Sequence, residues 1–522
     1  MAPDHSQTKA SMTDWLAVLA GALGALLATL DTSIVNSALP TIQGEIGATG
    51  TEGTWMSTGY LVSEIVIIPL TAWLTRLLGL RSLLLGSVVL FSLFSALCGL
   101  SSGLTMLILG RVGQGFFGGA LIPTAQTIVR TRLPESQQPL GMSLFGLIVI
   151  MGPLVGPVLG GWLTETVSWR WCFFLNMPVT VALVTLLLLG LKHEPARPEL
   201  FARADWAGIF GLTLFLSSLT VVLEEGQRDR WFDSNLICWL TATTILGFVT
   251  LMIAQLTVAD PVVKLRLLLN RSYASVIIMV VAVGSGLYGL TYLLPQFLAN
   301  IAGYNAEQSG RVLVLSGIPA FLLMPILPRL LGRVDLRIMV TIGLLCFGGA
   351  CMLNIGLTSQ ENGSAFVASQ LLTGTGMLMA MMPLNQASVG AVGREFAADA
   401  AGLYSMARNL GGSSGIAILG IFIDRRTEFH ADTIRASLDA NSPLVQSRVA
   451  GMAASFMQNG TDAAYARMQA LSQLAAQIHI QALVMTYSDC FYLSGALLLG
   501  IIPLVALLRP PPRRARPAQG GH

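Results

Sequence analysis

Histidine is scarce in this chain, with five residues in 522, and charged residues make up only 11%. Cysteine is also sparse. Cys98, Cys172, Cys238, Cys346, Cys351 and Cys490 form no Cys-x-x-Cys pair and have no histidine at ligand spacing. That argues against a metal site and leaves free packing thiols. The chain has no phosphate-cradling Gly-rich loop ending in Lys, no His-Glu-x-x-His and no Ser/His/Asp set. Nucleotide hydrolysis and the common hydrolytic chemistries are thereby excluded, so no enzymatic activity, metal or cofactor is expected. Nor do basic residues cluster among aromatics as nucleic-acid binding requires.

What the chain has in abundance is apolar surface: 53% of residues are hydrophobic and the mean hydropathy is +0.69. A soluble globular protein is not built this way; the bilayer is the solvent. Stretches of the roughly 20 apolar residues that cross about 30 Å of hydrocarbon recur throughout. About fourteen are expected, near 15–38, 54–75, 82–101, 105–129, 139–163, 171–191, 206–223, 235–257, 274–299, 309–328, 337–357, 365–391, 400–423 and 481–508. The fold class is therefore all-α integral membrane. The first span is too long and too acidic for a cleaved signal, and is expected to persist.

Basic residues mark cytoplasmic loops. Arg76 and Arg81, Arg130 and Arg132, Lys192, Arg197 and Arg203, Lys264, Arg266 and Arg271, Arg329, Arg333 and Arg337, Arg394, and the tail Arg509, Arg513, Arg514 and Arg516 fall on one side. The opposite connections carry Glu45, Glu52, Glu165, Glu224, Glu225, Glu307 and Glu361, with Arg228 and Arg230 as exceptions. Both termini are expected in the cytoplasm.

The sequence also repeats weakly. Arg111-Val112-Gly113-Gln114-Gly115 with Pro123 is echoed by Gln370-Leu371-Leu372-Thr373-Gly374 with Pro383, and Gly152, Gly156 and Gly160 by Gly411, Gly415 and Gly420. Such echoes indicate two related halves with a site between them near mid-membrane. The registers match only if spans 206–223 and 235–257 are an insert. The expected organisation is a tail (1–14), a six-helix half (15–191), a linker with two inserted spans (192–272), a second six-helix half (273–508) containing an extracytoplasmic loop (424–480), and a basic tail (509–522). That loop is rich in Ala, Gln, Met and Ser; it is either a set of helices that docks a partner or a solvated cap.

Asp31 lies inside the first apolar span, where a carboxylate costs roughly 2.5–3.5 kcal/mol. It marks a proton relay or a pathway, or else is tied up in a helix contact. Counting about 1.5 Å of rise per residue places Asp31 roughly 10 Å, Glu64 roughly 15 Å and Arg111 roughly 9 Å below the outer surface, in one depth band. Burial disfavours a charged carboxylate and a neighbouring guanidinium favours it, which is what proton coupling requires. A structural salt bridge is the competing reading of this cluster.

Arg408 and Asp489 form a second set, at depths too different for a direct pair, and read first as packing or conformational residues. Gly152, Gly156 and Gly160 make a smooth helix face, perturbed by Pro153 and Pro157, suited to a moving or a static helix contact. Tyr288, Tyr292, Gln296, Met377, Met381 and Asn385 supply the soft, aromatic and amide surface expected of a path for varied apolar ligands, with ordinary packing as the alternative.

The motifs resemble those of a known family. Leu30-Asp31-Thr32-Ser33-Ile34-Val35-Asn36-Ser37-Ala38-Leu39-Pro40, the Leu109–Ala120 stretch around Arg111, Gly152-Pro153 through Gly160-Gly161, and Trp169-Arg170-Trp171 through Asn176 and Pro178 are similar to signatures of fourteen-helix drug:proton antiporters of the major facilitator superfamily. Tyr292 to Gln296, Arg408 to Gly412 and Asp489 to Phe491 extend the resemblance over almost the whole chain, and the EmrB/QacA-like branch, EmrB above all, matches best. One departure is Ala72-Trp73-Leu74-Thr75-Arg76-Leu77-Leu78-Gly79, where Arg76 replaces the usual Asp of a gating loop.

The resemblance implies a major facilitator fold, proton coupling by Asp31 and Arg111, and alternating access at the Gly-Pro face. Glu64 is outside the shared signatures, and its candidacy rests on depth. The implied activity is proton-driven multidrug efflux of amphipathic compounds across a bacterial inner membrane, powered by the proton gradient. The implied partners are an EmrA-like periplasmic adaptor and a TolC-like outer-membrane channel. A dedicated exporter of one fatty acid, siderophore or secondary metabolite is the alternative, and a non-transporting scaffold or sensor the more distant one.

Overall fold

The computed structural model describes residues 10–134, 136–323, 326–438, 442–458 and 462–508; the basic tail 509–522 and the first nine residues lie outside the described residues. Helix α1 (Met12–Ile46) begins at a capping box between Ser11 and Asp14 and ends where Gly47 turns left-handed at φ 72°. It is followed by α2 (Gly50–Leu78) and α3 (Leu80–Gly99). Next, α4 (Leu104–Gly118) and α5 (Leu121–Arg132) form one crossing interrupted at Gly119 and Ala120. After α6 (Gln138–Thr166), the short α7 (Trp171–Phe174) leads into α8 (Asn176–Gly190).

The linker contains α9 (Glu199–Ala202); α10 (Trp206–Glu225) and α11 (Asn235–Thr257) then pack on one another as an antiparallel pair. The second run holds α12 (Arg271–Asn300), α13 (Ala306–Val314), α14 (Ile318–Leu323), α15 (Leu327–Arg333), α16 (Leu336–Leu353) and α17 (Val367–Gly390). It closes with α18 (Ala397–Ser437), α19 (Pro443–Gln458) and α20 (Ala463–Gly500).

Among the described residues, thirteen helices are long and apolar enough to cross a membrane, against the fourteen expected. The difference lies at 309–328, where α13, a 3-10 turn at Leu315–Gly317 and α14 follow one another in short pieces. Gly317 and Pro319 sit in this stretch; glycine is the costliest ordinary residue to hold helical, and proline has no N–H to donate. The expected loop 424–480 is largely helical. Helix α18 runs on through it to Ser437, α20 begins at Ala463, and α19 packs against α20 through Val449, Ala453, Ala466 and Ala470.

Small residues set the closest helix crossings. A Cβ on Gly156 would meet the Ser33 side chain at 2.5 Å, and one on Gly160 would meet Ser37 at 2.2 Å, so α6 lies backbone-to-backbone against α1. Gly411 and Gly415 on α18 do the same against Val281 and Ser285 of α12. The two glycine runs whose echo is visible in sequence therefore make equivalent contacts. Helix α10 packs on both α2 and α18 and thereby touches elements from either side of the linker.

Candidate functional site

Asp31 is fully buried on α1. Its Oδ2 accepts a hydrogen bond of 2.5 Å from Nη1 of Arg111 on α4, whose side chain is also fully buried. Oδ1 accepts from Nε2 of Gln114 at 3.0 Å and from Nδ2 of Asn176 on α8 at 2.6 Å. Asn176 also donates to Ser95 Oγ on α3 at 2.9 Å, and Ser95 donates to the Phe173 carbonyl. One carboxylate thus ties α1, α3, α4 and α8 together.

The guanidinium is held from several directions. Nη1 of Arg111 also donates to Oε1 of Gln114 at 3.1 Å, and Nε to the Met56 carbonyl at 3.5 Å. Its Cζ lies 4.3 Å from the centre of the Tyr60 ring, within cation–π range. Nη2 of Arg111 and Asn176 Oδ1 are buried without a hydrogen-bond partner among the described residues. The pair is therefore strongly bound on the carboxylate side, with a donor to spare on the guanidinium.

Glu64 shares the depth band but not the network: no hydrogen bond or ion pair joins it to Asp31 or Arg111 among the described residues. The charges acting on it are Arg408 of α18 first and Arg111 second. It lies one turn beyond Tyr60 on α2, with its backbone close to Gly119 between α4 and α5. Of the three acids and bases expected in one depth band, Asp31 and Arg111 are joined by an ion pair and Glu64 stands beside them without one among the described residues.

The remaining candidates are dispersed. Asp489 pairs with Arg426 at 2.5 Å and His430 at 2.8 Å at the end where α19 sits, while Arg408 donates to Asn409. Arg76 faces Asp399 of α18 at 3.8 Å. Asn385 accepts from Arg130 of α5 through both its carbonyl and its Oδ1. Tyr288 lines a small cavity with Leu61, Ile65, Thr220, Asn409 and Ser413. Tyr292 and Met381 pack against the core of the second run, Met377 is partly buried, and Gln296 is exposed and accepts from Asn300.

Sequence reasoning assigned no role to Gln114, Asn176, Ser95 or Tyr60. Gln114 was within reach, since it lies three residues beyond Arg111 on the same helical face. Asn176 stands in the signature that runs from Trp169 to Pro178, but only the packing of α8 on α1 shows that it meets Asp31; Ser95 carries no local signal.

A bundle of long apolar helices with a charged pair sealed inside its first half is the build of a membrane transport protein. The sequence model described as Major Facilitator Superfamily matches residues 21–416. The chain is 30% identical to the colistin resistance protein EmrB of Acinetobacter baumannii, over 91% of this chain and 93% of that one. It is 31% identical to the multidrug export protein EmrB of Escherichia coli K12, over 94% and 95%, and 26% identical to the fatty acid resistance protein FarB of Neisseria gonorrhoeae, over 99% and 100%. Its fold is similar to that of the human organic anion transporter MFSD10, with a TM-score of 0.58 at 16% identity, covering 93% of this chain and 99% of that one. The chain belongs to the Major Facilitator Superfamily, on its EmrB-like branch.

Proposed function

We propose that this protein is a proton-driven multidrug exporter of amphipathic compounds, working by alternating access. The observation that carries the reading is the Asp31–Arg111 pair, sealed from solvent, bonded to α2 and α8 and, through Asn176, to α3. Protonation of Asp31 removes the negative charge that holds Arg111 and loosens the contacts among α1, α4 and α8. The freed guanidinium then turns toward Glu64, on which its charge already acts. A proton binding event thereby becomes a rearrangement of helices, with the Gly152–Gly156–Gly160 seam, Arg76 and Arg408 as the moving contacts. One proton moving down 100 mV supplies about 2.3 kcal/mol, and each pH unit about 1.4 kcal/mol more, enough to concentrate a neutral solute.

The α19 end faces outward in this reading, the termini are cytoplasmic, and the protein resides in a bacterial inner membrane. The helical extension from α18 to α20 is the natural contact for an EmrA-like adaptor and, through it, a TolC-like channel. The similarity to proteins named for multidrug export and colistin resistance supports this reading. Full-length similarity to a protein named for fatty acid resistance supports a second reading, a dedicated exporter of one amphipathic acid. Counterflow in reconstituted vesicles, with and without a pH gradient, tests both. Gradient-stimulated movement of chemically unrelated compounds is expected; competition confined to one chemical series favours the dedicated exporter, and no gradient effect overturns both.

A further inference from the structure

The inserted pair α10 and α11 has no part in the Asp31 network, yet α10 carries two adjacent acids at its outer end, Glu224 and Glu225. Their surroundings differ. Glu225 is buried and accepts from Arg228 Nη1 at 2.6 Å and from Thr58 Oγ1 of α2 at 2.6 Å, and Arg228 also bonds Thr54. Glu224 has one hydrogen bond, from Ser413 Oγ of α18 at 2.7 Å, and no ion pair among the described residues. Half-buried at the outer end of its helix, Glu224 stands where outside water and the interior of the bundle meet.

Immediately inward of Glu224 is the small cavity where α2, α10, α12 and α18 meet, lined by Thr220, Ser413, Asn409, Tyr288, Leu61 and Ile65. Thr220 lies one helical turn below Glu224 on the same face of α10. It is 1% exposed, and among the described residues its buried hydroxyl has no hydrogen-bond partner although it lines this space. Glu64 lies on α2 between Leu61 and Ile65, both of which line this cavity, and Tyr288 of α12 lines it as well.

We propose that Glu224 is the outer proton acceptor of the transporter, and that protons pass from it along the α2–α10–α12–α18 junction to Glu64. The proton arrives from outside water on a Glu224 carboxylate oxygen, breaking the Ser413 hydrogen bond at that oxygen. It leaves through the hydroxyls lining the junction, each both donor and acceptor, and ends on a Glu64 oxygen, restoring the Glu224 carboxylate. The charged and titratable groups around Glu224 are Glu225 on its own helix, Arg228 in the turn that follows it and Tyr288 on α12, with Ser413 of α18 as its hydrogen-bond donor; those around Glu64 are Arg408, Arg111 and Tyr60. The inserted helices thus contribute a residue to coupling rather than only a packing surface. Glu225, already neutralised by Arg228, holds α10 in place.

This rests on the reading of the chain as a proton-driven exporter, and the experiment separates the two. Full-length wild type, Glu224→Gln, Glu224→Asp and Glu225→Gln are reconstituted in vesicles, and substrate movement is measured as pH-gradient-driven transport and as counterflow at equal pH. Expected for Glu224→Gln is a fall in gradient-driven transport of about tenfold, the factor one pH unit is worth, with counterflow retained and with Glu224→Asp restoring coupling. Glu225→Gln keeps the ratio of the two rates. Full coupling in Glu224→Gln, or loss of counterflow together with coupling, overturns the relay while the exporter reading stands. A wild type indifferent to the gradient overturns both.

Discussion

Oδ2 of Asp31 lies 2.5 Å from Nη1 of Arg111, and neither side chain touches solvent. A buried pair of this kind is held by its remaining hydrogen bonds, here from Gln114 and Asn176, because Coulomb attraction alone does not offset the loss of water around two charges.

Replacing Asp31 with Asn keeps the shape of the side chain and removes its charge. The protein is expected to fold, to catalyse counterflow at equal pH, and to lose the roughly tenfold accumulation that one pH unit sustains. Transport assays in vesicles of defined internal pH measure this; gradient-driven accumulation by Asp31→Asn at the wild-type level would sink the coupling role.

Arg111→Ala removes the cation and leaves Asp31 buried alone, a change that costs about 3–5 kcal/mol. Thermal unfolding in detergent should show a clear loss of stability, partly recovered when Asp31→Asn is added, since the double variant buries no unpaired charge. An Arg111→Ala protein as stable as wild type would contradict the geometry.

Gly156→Val brings branched carbon into a space where even a Cβ lies 2.5 Å from Ser33. Overpacking of this order costs about 1–3 kcal/mol, and it also forces α6 away from α1. Transport is expected to fall more steeply than stability; Gly161→Val on the same helix, where a Cβ meets nothing within 4 Å, is the control and should be tolerated.

Asp489→Asn is expected to do little. The carboxylate is 31% exposed and shared between Arg426 and His430, and partly exposed ion pairs contribute about 0–1 kcal/mol. Gradient-driven transport near the wild-type rate is the outcome that separates this acid from Asp31; a loss comparable to that of Asp31→Asn would place Asp489 on the proton path.

Much of this protein is legible in its sequence. Apolar runs long enough to cross a bilayer leave the backbone no alternative to helix, so the spans follow from composition. The cost of Asp31 within such a run singles it out, and the spacing of Gly152, Gly156 and Gly160 gives a close-approach face before any partner helix is known. The tertiary structure decided which residues meet. Depth along a helix can be counted, but azimuth between helices cannot, because it depends on how each helix turns against its neighbours. For that reason Asp31 and Arg111 are paired while Glu64, in the same depth band, makes no ion pair with either among the described residues. Asn176 and Ser95 reach the carboxylate from distant segments, and Glu224, read in sequence as a loop acid, stands over a polar junction between four helices. Composition and periodicity determine what each helix is; only packing determines what it touches.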